Sequence, residues 1–350
     1  KRKEIQKSKY GVSENRSKLL PQINAIAGYN NNFDPPVSVT DGSSYGVPYN
    51  ITQTLQHSAN AGLEMQMPLF NQTLYTSMSI AKVMEEISRL SYGKAREDVI
   101  LQISKMYYLG QVTAEQIMLI KANITRLEEL RDITQAFFDN GMSMEVDLKR
   151  VNINLENLKV QYDNAQAMMK QQLNMLKYIM DYPAEKEIAL TPVNTDSITT
   201  VALTGLSENI YELQLSQSQV QLAERQKKII TNGYIPSLSL TGSWRYAAYT
   251  DKGYHWFHSG PSNQWFRSYG VGLTLRIPIF DGLDKTYKIK KAMIDIENKR
   301  LAWEDARKNL QTQYLNAVND LMNNQRNFKK QKDNYLLAED VYAVTSDRYR

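Results

Sequence analysis

Few residues in this chain combine a type and a spacing that could do chemistry. His255 and His258 invite a metal reading, but two imidazoles are too few ligands for a zinc site. They also sit among Tyr254, Trp256 and Phe257 in a loop-like stretch, where exposed histidines are the plainer reading. Cysteine is absent, which excludes disulfides and thiolate sites and fits an oxidising compartment. No nucleophile has a base at a suggestive spacing, and no glycine-rich phosphate loop occurs, so neither an enzyme nor a cofactor or metal site is expected. Asn71-Gln72-Thr73 and Asn123-Ile124-Thr125 fit glycosylation sequons, yet both fall in helical stretches. What remains is a handful of isolated charges, Glu64, Asp147 and Arg276, set in strongly patterned surroundings.

Those surroundings are built twice. Ala59 to Met67 and Tyr269 to Ile277 each alternate an apolar residue with a polar one or glycine for nine positions. This is the period of a strand with one apolar and one polar face. Each is followed by proline, an aliphatic, phenylalanine and a short polar residue: Pro68-Leu69-Phe70-Asn71 and Pro278-Ile279-Phe280-Asp281. Proline ends a ladder, and Asn71 and Asp281 can cap the helix that follows, so Pro68, Phe70, Pro278 and Phe280 mark strand-to-helix turns. The prolines lie 210 positions apart (278 − 68). Upstream, Leu20-Pro21-Gln22-Ile23 is echoed by Ile235-Pro236-Ser237-Leu238, each opening another alternating run. The architecture is therefore an internal two-fold repeat of strand, long loop, strand and long helix, too long in period for a solenoid.

Composition bounds the rest. Net charge is a mild +5 without a basic cluster, so nucleic acid is not a suggested partner. No run approaches about 18 apolar residues, so no membrane-spanning helix is expected. Residues 1–18 and 206–232 are helix-compatible, and 183–205 reads as an irregular linker. The loops 30–57 and 247–267 are turn-rich and aromatic respectively. From residue 71 a helical pattern runs to about Phe138, broken at 139–143, where Gly141 suits a left-handed cap. The return arm, to residue 182, keeps Leu148, Val151, Leu155, Leu158, Tyr162, Ala165 and Met169 on one heptad stripe, as in a coiled coil. An arm of that extent would be on the order of 100 Å long. A second arm, 281–350, carries a similar stripe, with Arg300 and Arg307 in seam positions suited first to pairing with carboxylates of a neighbouring helix and otherwise to lining a tunnel between helices.

This ordered duplication resembles the TolC family of outer-membrane efflux proteins. The carriers are the Leu20-Pro21-Gln22 and Ile235-Pro236-Ser237 entries, the Pro68-Leu69-Phe70 and Pro278-Ile279-Phe280 exits, and the tip Phe138-Asp139-Asn140-Gly141 with Asp147-Leu148 following. The resemblance implies an α+β membrane protein of the bacterial cell outer membrane. It implies a homotrimer in which each protomer gives four strands, from 19–70 and 233–280, to one transmembrane β-barrel. A long coiled-coil α-helical barrel would continue it into the periplasm, built from 1–18, 71–182, 206–232 and 281–350. Four strands cannot close alone, and open edges in lipid are costly, so closure by oligomerisation agrees. Ala59, Ala61, Leu63, Met65 and Met67 would then face lipid, and so would Tyr269, Val271, Leu273, Leu275 and Ile277. Asn60, Glu64, Gln66, Thr274 and Arg276 would face the lumen, and aromatics near 247–269 would sit at the headgroups.

By the same resemblance Phe138, Asn140, Gly141, Ser143, Asp147 and Tyr349 belong to the periplasmic tip and gate. Ser143 stands where the second repeat often carries a basic residue, and Asp147 is equally readable as a first-turn carboxylate favoured by the helix dipole. The expected role is a passive conduit for drugs or small solutes. Its partners would be a periplasmic adaptor (membrane fusion) protein and an inner-membrane RND or ABC transporter. The alternative is the outer-membrane conduit of type I protein secretion. A structural coiled-coil protein is disfavoured by the two strand pairs. The second repeat stops short of its own turn, so a piece of a longer polypeptide, truncated at both ends, is expected.

Overall fold

The structure, a computed structural model, describes residues 1–34, 38–40, 43, 46, 51–53, 56–192, 205, 207, 209–250 and 265–348. In chain order the elements are α1 (Arg2–Ser17), β1 (Gln22–Asn31), β2 (Ser38–Thr40), β3 (Ile51–Gln53), β4 (His57–Phe70) and α2 (Gln72–Asp139). There follow α3 (Glu145–Ile179), α4 (Tyr211–Asn232), β5 (Ser237–Thr250), β6 (Trp265–Arg276) and α5 (Asp284–Arg348). Each repeat is thus helix, strand, strand, long helix. The chain divides into two compact units, one of Lys1–Ser91 with Glu208–Gln311, the other of Tyr92–Ser207 with Thr312–Arg350.

The first unit holds a four-stranded antiparallel sheet in the order β1-β4-β5-β6. The two repeats meet at the β4–β5 ladder, which runs from His57 opposite Thr250 down to Phe70 opposite Leu238. Beneath it, α4 is anchored by its last residue: Asn232 Nδ2 donates to Thr76 Oγ1 of α2 at 2.6 Å, both side chains buried. In the same unit Ala81 and Val83 of α2, Leu213 and Ala223 of α4, and Ala292 and Ile296 of α5 are buried apolar residues. Arg300 reaches Glu224 of α4 at 2.8 Å, the pairing expected of a seam arginine. The stretch read as one loop, 30–57, contains a short ribbon, β2 paired with β3. Val39, Thr40, Ile51 and Thr52 are β-branched, and that preference for a pleated backbone outlasts the turn-rich composition around them.

The expectation for the first of the two strand-to-helix turns needs correction. Pro68 and Phe70 do not lie in a turn; they are the last residues of β4, which continues past the proline with an irregularity between Pro68 and Phe70. Proline removes one ladder donor, and a bulge is where a strand absorbs that loss. Pro278 and Phe280 do lie beyond β6, but α5 begins at Asp284, after Gly282 and Leu283 at φ 65° and 67°.

In the second unit, α2 ends in a Schellman turn. Met142 N–H donates to the Phe137 carbonyl at 2.8 Å and Gly141 N–H to that of Phe138 at 2.9 Å. Gly141 has φ 70°, the left-handed conformation expected of it. The return helix α3 buries Leu155, Ala165 and Leu176, of which the first two belong to the heptad stripe. Its end repeats the motif without glycine: Tyr182 N–H donates to Lys177 O at 2.9 Å with Asp181 at φ 54°, and Pro183 prevents continuation. The described part of the linker lies along α2, where Gln111 Nε2 donates to the Thr191 carbonyl at 2.6 Å. Residues 193–204 of the linker fall outside the described residues.

Candidate functional site

Residues directly opposite in an antiparallel ladder share a face, so the register fixes which side chains lie together. From β1 to β6, one face carries Asn24, Glu64, Ser243 and Gly270 in one row. The next row carries Gln22, Gln66, Thr241 and Gly272. Asn60, Thr274 and Arg276 lie on this face as well. The five strand residues read from the sequence as lumen-facing are therefore gathered on one side of one sheet. The other face takes Ala25, Leu63, Trp244 and Tyr269 in one row, and Ile23, Met65, Gly242 and Val271 in the next. Among the described residues nothing covers it at its edges: Ile23 is 65% exposed, Tyr269 77% and Val271 81%.

At the centre of the polar face Arg245 donates to the Glu64 carboxylate across the β4–β5 ladder, with each side chain a little under half exposed. Gly62 stands directly opposite Arg245. A Cβ there would lie 2.3 Å from the Trp244 carbonyl oxygen and 2.8 Å from Arg245 Cα, so the close approach of the two strands requires glycine. The concavity around the pair has a volume of about 540 Å³ and is lined by Asn24, Gln66, Thr241 and Ser243.

The turns at the base of the sheet hold their helices differently. Asn71 Oδ1 accepts from Thr73 N–H at 3.0 Å and from Leu74 N–H at 3.4 Å, closing the start of α2. Asp281 Oδ2 accepts from Lys285 N–H at 3.2 Å and pairs with Lys285 Nζ at 3.1 Å. The hydrogen bond from the Lys285 ammonium holds the Asp281 carboxyl below its ordinary range.

At the hairpin tip Phe138 lies in the last turn of α2, and Asn140 Nδ2 donates to the Ala136 carbonyl at 2.7 Å. Gly141 and Met142 are exposed, and Ser143 is half-buried. Glu145 and Asp147 occupy the first turn of α3, where the helix dipole favours a carboxylate. Glu145 pairs with Lys149 at 2.7 Å, and that hydrogen bond lowers its pKa. Asp147 lies 3.7 Å from Arg150 and is exposed. Tyr349 of the expected gate, and His255 and His258, lie outside the described residues. Among the described residues no three metal-ligating side chains come together, and no helix is long and apolar enough to cross a membrane.

The sequence matches the outer membrane efflux protein family over residues 1–180 and 202–350. The chain belongs to that family. The outer membrane protein TolC of Vibrio cholerae is 21% identical over 319 residues, covering 89% of this chain and 66% of the relative. The toluene efflux pump outer membrane protein TtgC of Pseudomonas putida is 23% identical over 337 residues, covering 90% and 66%. The chain thus spans just under two thirds of the length of the curated relatives it matches. Among solved structures, the outer membrane protein VceC of Vibrio cholerae superposes with a TM-score of 0.63 at 13% identity, covering 92% of this chain and 74% of that one. CusC does so at 0.70 and 15%, covering 93% and 73%. Both share its fold.

For this member of the outer membrane efflux protein family, sequence reasoning missed Arg245. The signal for its face was present: Leu238, Leu240, Gly242, Trp244 and Tyr246 alternate, which puts Arg245 on the face opposite the two aromatics, and the β4–β5 ladder then sets it next to Glu64.

Proposed function

We propose that the chain supplies one third of a trimeric outer-membrane channel, a passive conduit for drugs or small solutes. A periplasmic adaptor would deliver these from an inner-membrane RND or ABC pump. The observation that carries this is the sheet itself: one uncovered apolar face, one polar face, and an outer strand on either side, β1 and β6, each paired along a single edge. Such a sheet is stable in lipid only when closed, and three copies close it without leaving an edge. The apolar face then meets lipid, the polar face meets a wet lumen, and the helices extend on the periplasmic side. Family membership and the relatives' efflux-pump names support the reading, and no step in it requires catalysis.

The hairpin tip serves in this reading as the periplasmic end. Phe138, Asn140, Gly141 and Ser143 form a small turn with Met142 and Met144 as adaptable apolar surface for an adaptor, and Asp147 contributes a carboxylate from each protomer near the mouth. The test uses the full-length trimer with Leu63→Cys and Glu64→Cys made separately. Position 64 should react with an aqueous maleimide and position 63 should be shielded by lipid, in a protein that conducts ions in planar bilayers. The reverse labelling, or a protein that never conducts, overturns the reading. Gly141→Glu should abolish pump-coupled export while the trimer still assembles.

A further inference from the structure

One cation stands on the wrong face of the sheet. Arg267, the third residue of β6, lies directly opposite Tyr246, so it shares a face with Leu63, Val271 and Leu273, not with Glu64 and Arg245. It is exposed, and no carboxylate among the described residues makes an ion pair with it. It is not alone there. Its guanidinium sits 5.9 Å from the centre of the Tyr269 ring. Tyr269 faces Trp244, and the rings of Trp244 and Tyr246 meet edge to face at 5.3 Å. The result is one arginine and three aromatic rings, two residues from the end of the sheet away from the helices.

We infer that this cluster binds the phosphate headgroup of a membrane lipid in the leaflet at the loop end of the barrel. The inference rests on the channel reading, which makes this face the lipid-facing one. A cation on such a face is disfavoured deep in hydrocarbon and tolerated where headgroups begin. Tyrosine and tryptophan prefer that same depth, so the three rings set the level of Arg267 independently of its charge. A guanidinium donates two parallel hydrogen bonds to a phosphate oxygen pair, a geometry that an ammonium does not match. The Tyr269 ring lies close enough to restrain the arginine and limit the freedom lost on binding. Phosphatidylcholine carries a quaternary ammonium beside its phosphate and a phosphomonoester lipid carries none, so the committed ligand is a phosphomonoester lipid, not free phosphate from water.

The full-length trimer, with Trp256, Trp265, Trp303 and any tryptophan outside residues 1–350 replaced by phenylalanine, leaves Trp244 as a reporter beside the site. It is reconstituted into phosphatidylcholine vesicles containing either brominated phosphatidic acid or brominated phosphatidylcholine, and Trp244 fluorescence is quenched by contact with bromine. Phosphatidic acid should reach half-maximal quenching at about fivefold lower mole fraction, as expected for one added arginine–headgroup contact. Arg267→Gln should abolish that preference, whereas Arg245→Gln on the polar face should keep it. Inorganic phosphate at equal concentration should leave the preference intact; its loss would assign the site to free phosphate and overturn the lipid. Equal quenching by both lipids in the unaltered cluster, or a preference that survives Arg267→Gln, overturns the inference and leaves the channel reading standing. No quenching by either lipid shows that Trp244 does not face lipid, and both readings fall.

Discussion

The two strand-to-helix turns share a sequence pattern and differ in structure. In the first repeat β4 runs through Pro68 to Phe70, and α2 starts two residues later under the Asn71 cap. In the second β6 stops at Arg276, and the chain takes two left-handed residues, Gly282 and Leu283, before α5 begins. The cause lies in the neighbouring strand. Pro68 is opposite Ser239, the third residue of β5, so the ladder still has a partner to continue on as far as Leu238. Arg276 is opposite Ser237, the first residue of β5, so Pro278 has nothing left to pair with. A local motif sets where a strand can end; the register with its neighbour sets where it does.

The largest difference between the repeats should come from their equivalent glycines, Gly62 and Gly272. Gly62→Ala drives a Cβ into the β5 backbone, which cannot rotate away. The cost should be about 3 kcal/mol, at or above the usual range for overpacking. At Gly272 the nearest atom is Thr241 Oγ1 at 3.2 Å, the end of a side chain that can turn. Gly272→Ala should stay within about 0.5 kcal/mol, as ordinary surface changes do. Denaturant unfolding of the reconstituted protein measures both. Equal losses would mean that the two strands are packed alike and that the β4–β5 junction is not special.

That contrast also marks how far the sequence could be read. Strand faces, the order of elements, the long hairpin and the Gly141 cap were legible because each depends on local periodicity or one residue's backbone freedom. The Asn71 cap was legible for the same reason. The run of β4 past Pro68 was not, since it depends on a residue 171 positions away (239 − 68). Nor was the Glu64–Arg245 pair, which joins side chains from two repeats whose register no local pattern specifies. The β2–β3 ribbon was hidden by its brevity, three residues a strand amid turn formers. Asp147 lies in the first turn of α3, and its partner there, Arg150, is one that any first-turn carboxylate could find.

The caps offer a finer comparison of the repeats. Asn71→Ala should cost about 1 kcal/mol, the usual effect of losing a side-chain cap, with no dependence on pH. Asp281→Ala should behave differently because its carboxyl is charged and its pKa is lowered by Lys285. A depressed pKa in the folded state stabilises above the unfolded value of 3.8, and that contribution is lost as pH falls through the folded pKa. Stability curves of the unaltered protein and Asp281→Ala should therefore converge in acid, while those of the unaltered protein and Asn71→Ala stay parallel. Parallel curves for both would remove the Asp281–Lys285 bond from the account of the second turn.

The smallest effect on stability should come from the charges that distinguish the two repeats on the polar face. Glu64 in the first corresponds to Thr274 in the second, and Gln66 to Arg276, so each repeat brings one charge of opposite sign. Glu64 is matched by Arg245, which leaves Arg276 as the unpaired charge among the described strand residues of this face. Both members of the pair are substantially exposed, and pairs of that kind contribute about 0–1 kcal/mol. Glu64→Gln and Arg245→Gln should accordingly unfold close to the unaltered protein. Their effect should appear in ion selectivity, because three copies of an uncompensated charge would line one level of the lumen. Under a salt gradient across a planar bilayer, Arg245→Gln should shift the reversal potential toward cation preference and Glu64→Gln toward anion preference. The double variant should return close to the starting value, a result that general loosening of the barrel would not produce. If both single variants shifted selectivity in the same direction, the pair would not set the charge of this wall. The difference between the repeats would then rest on Arg276 alone.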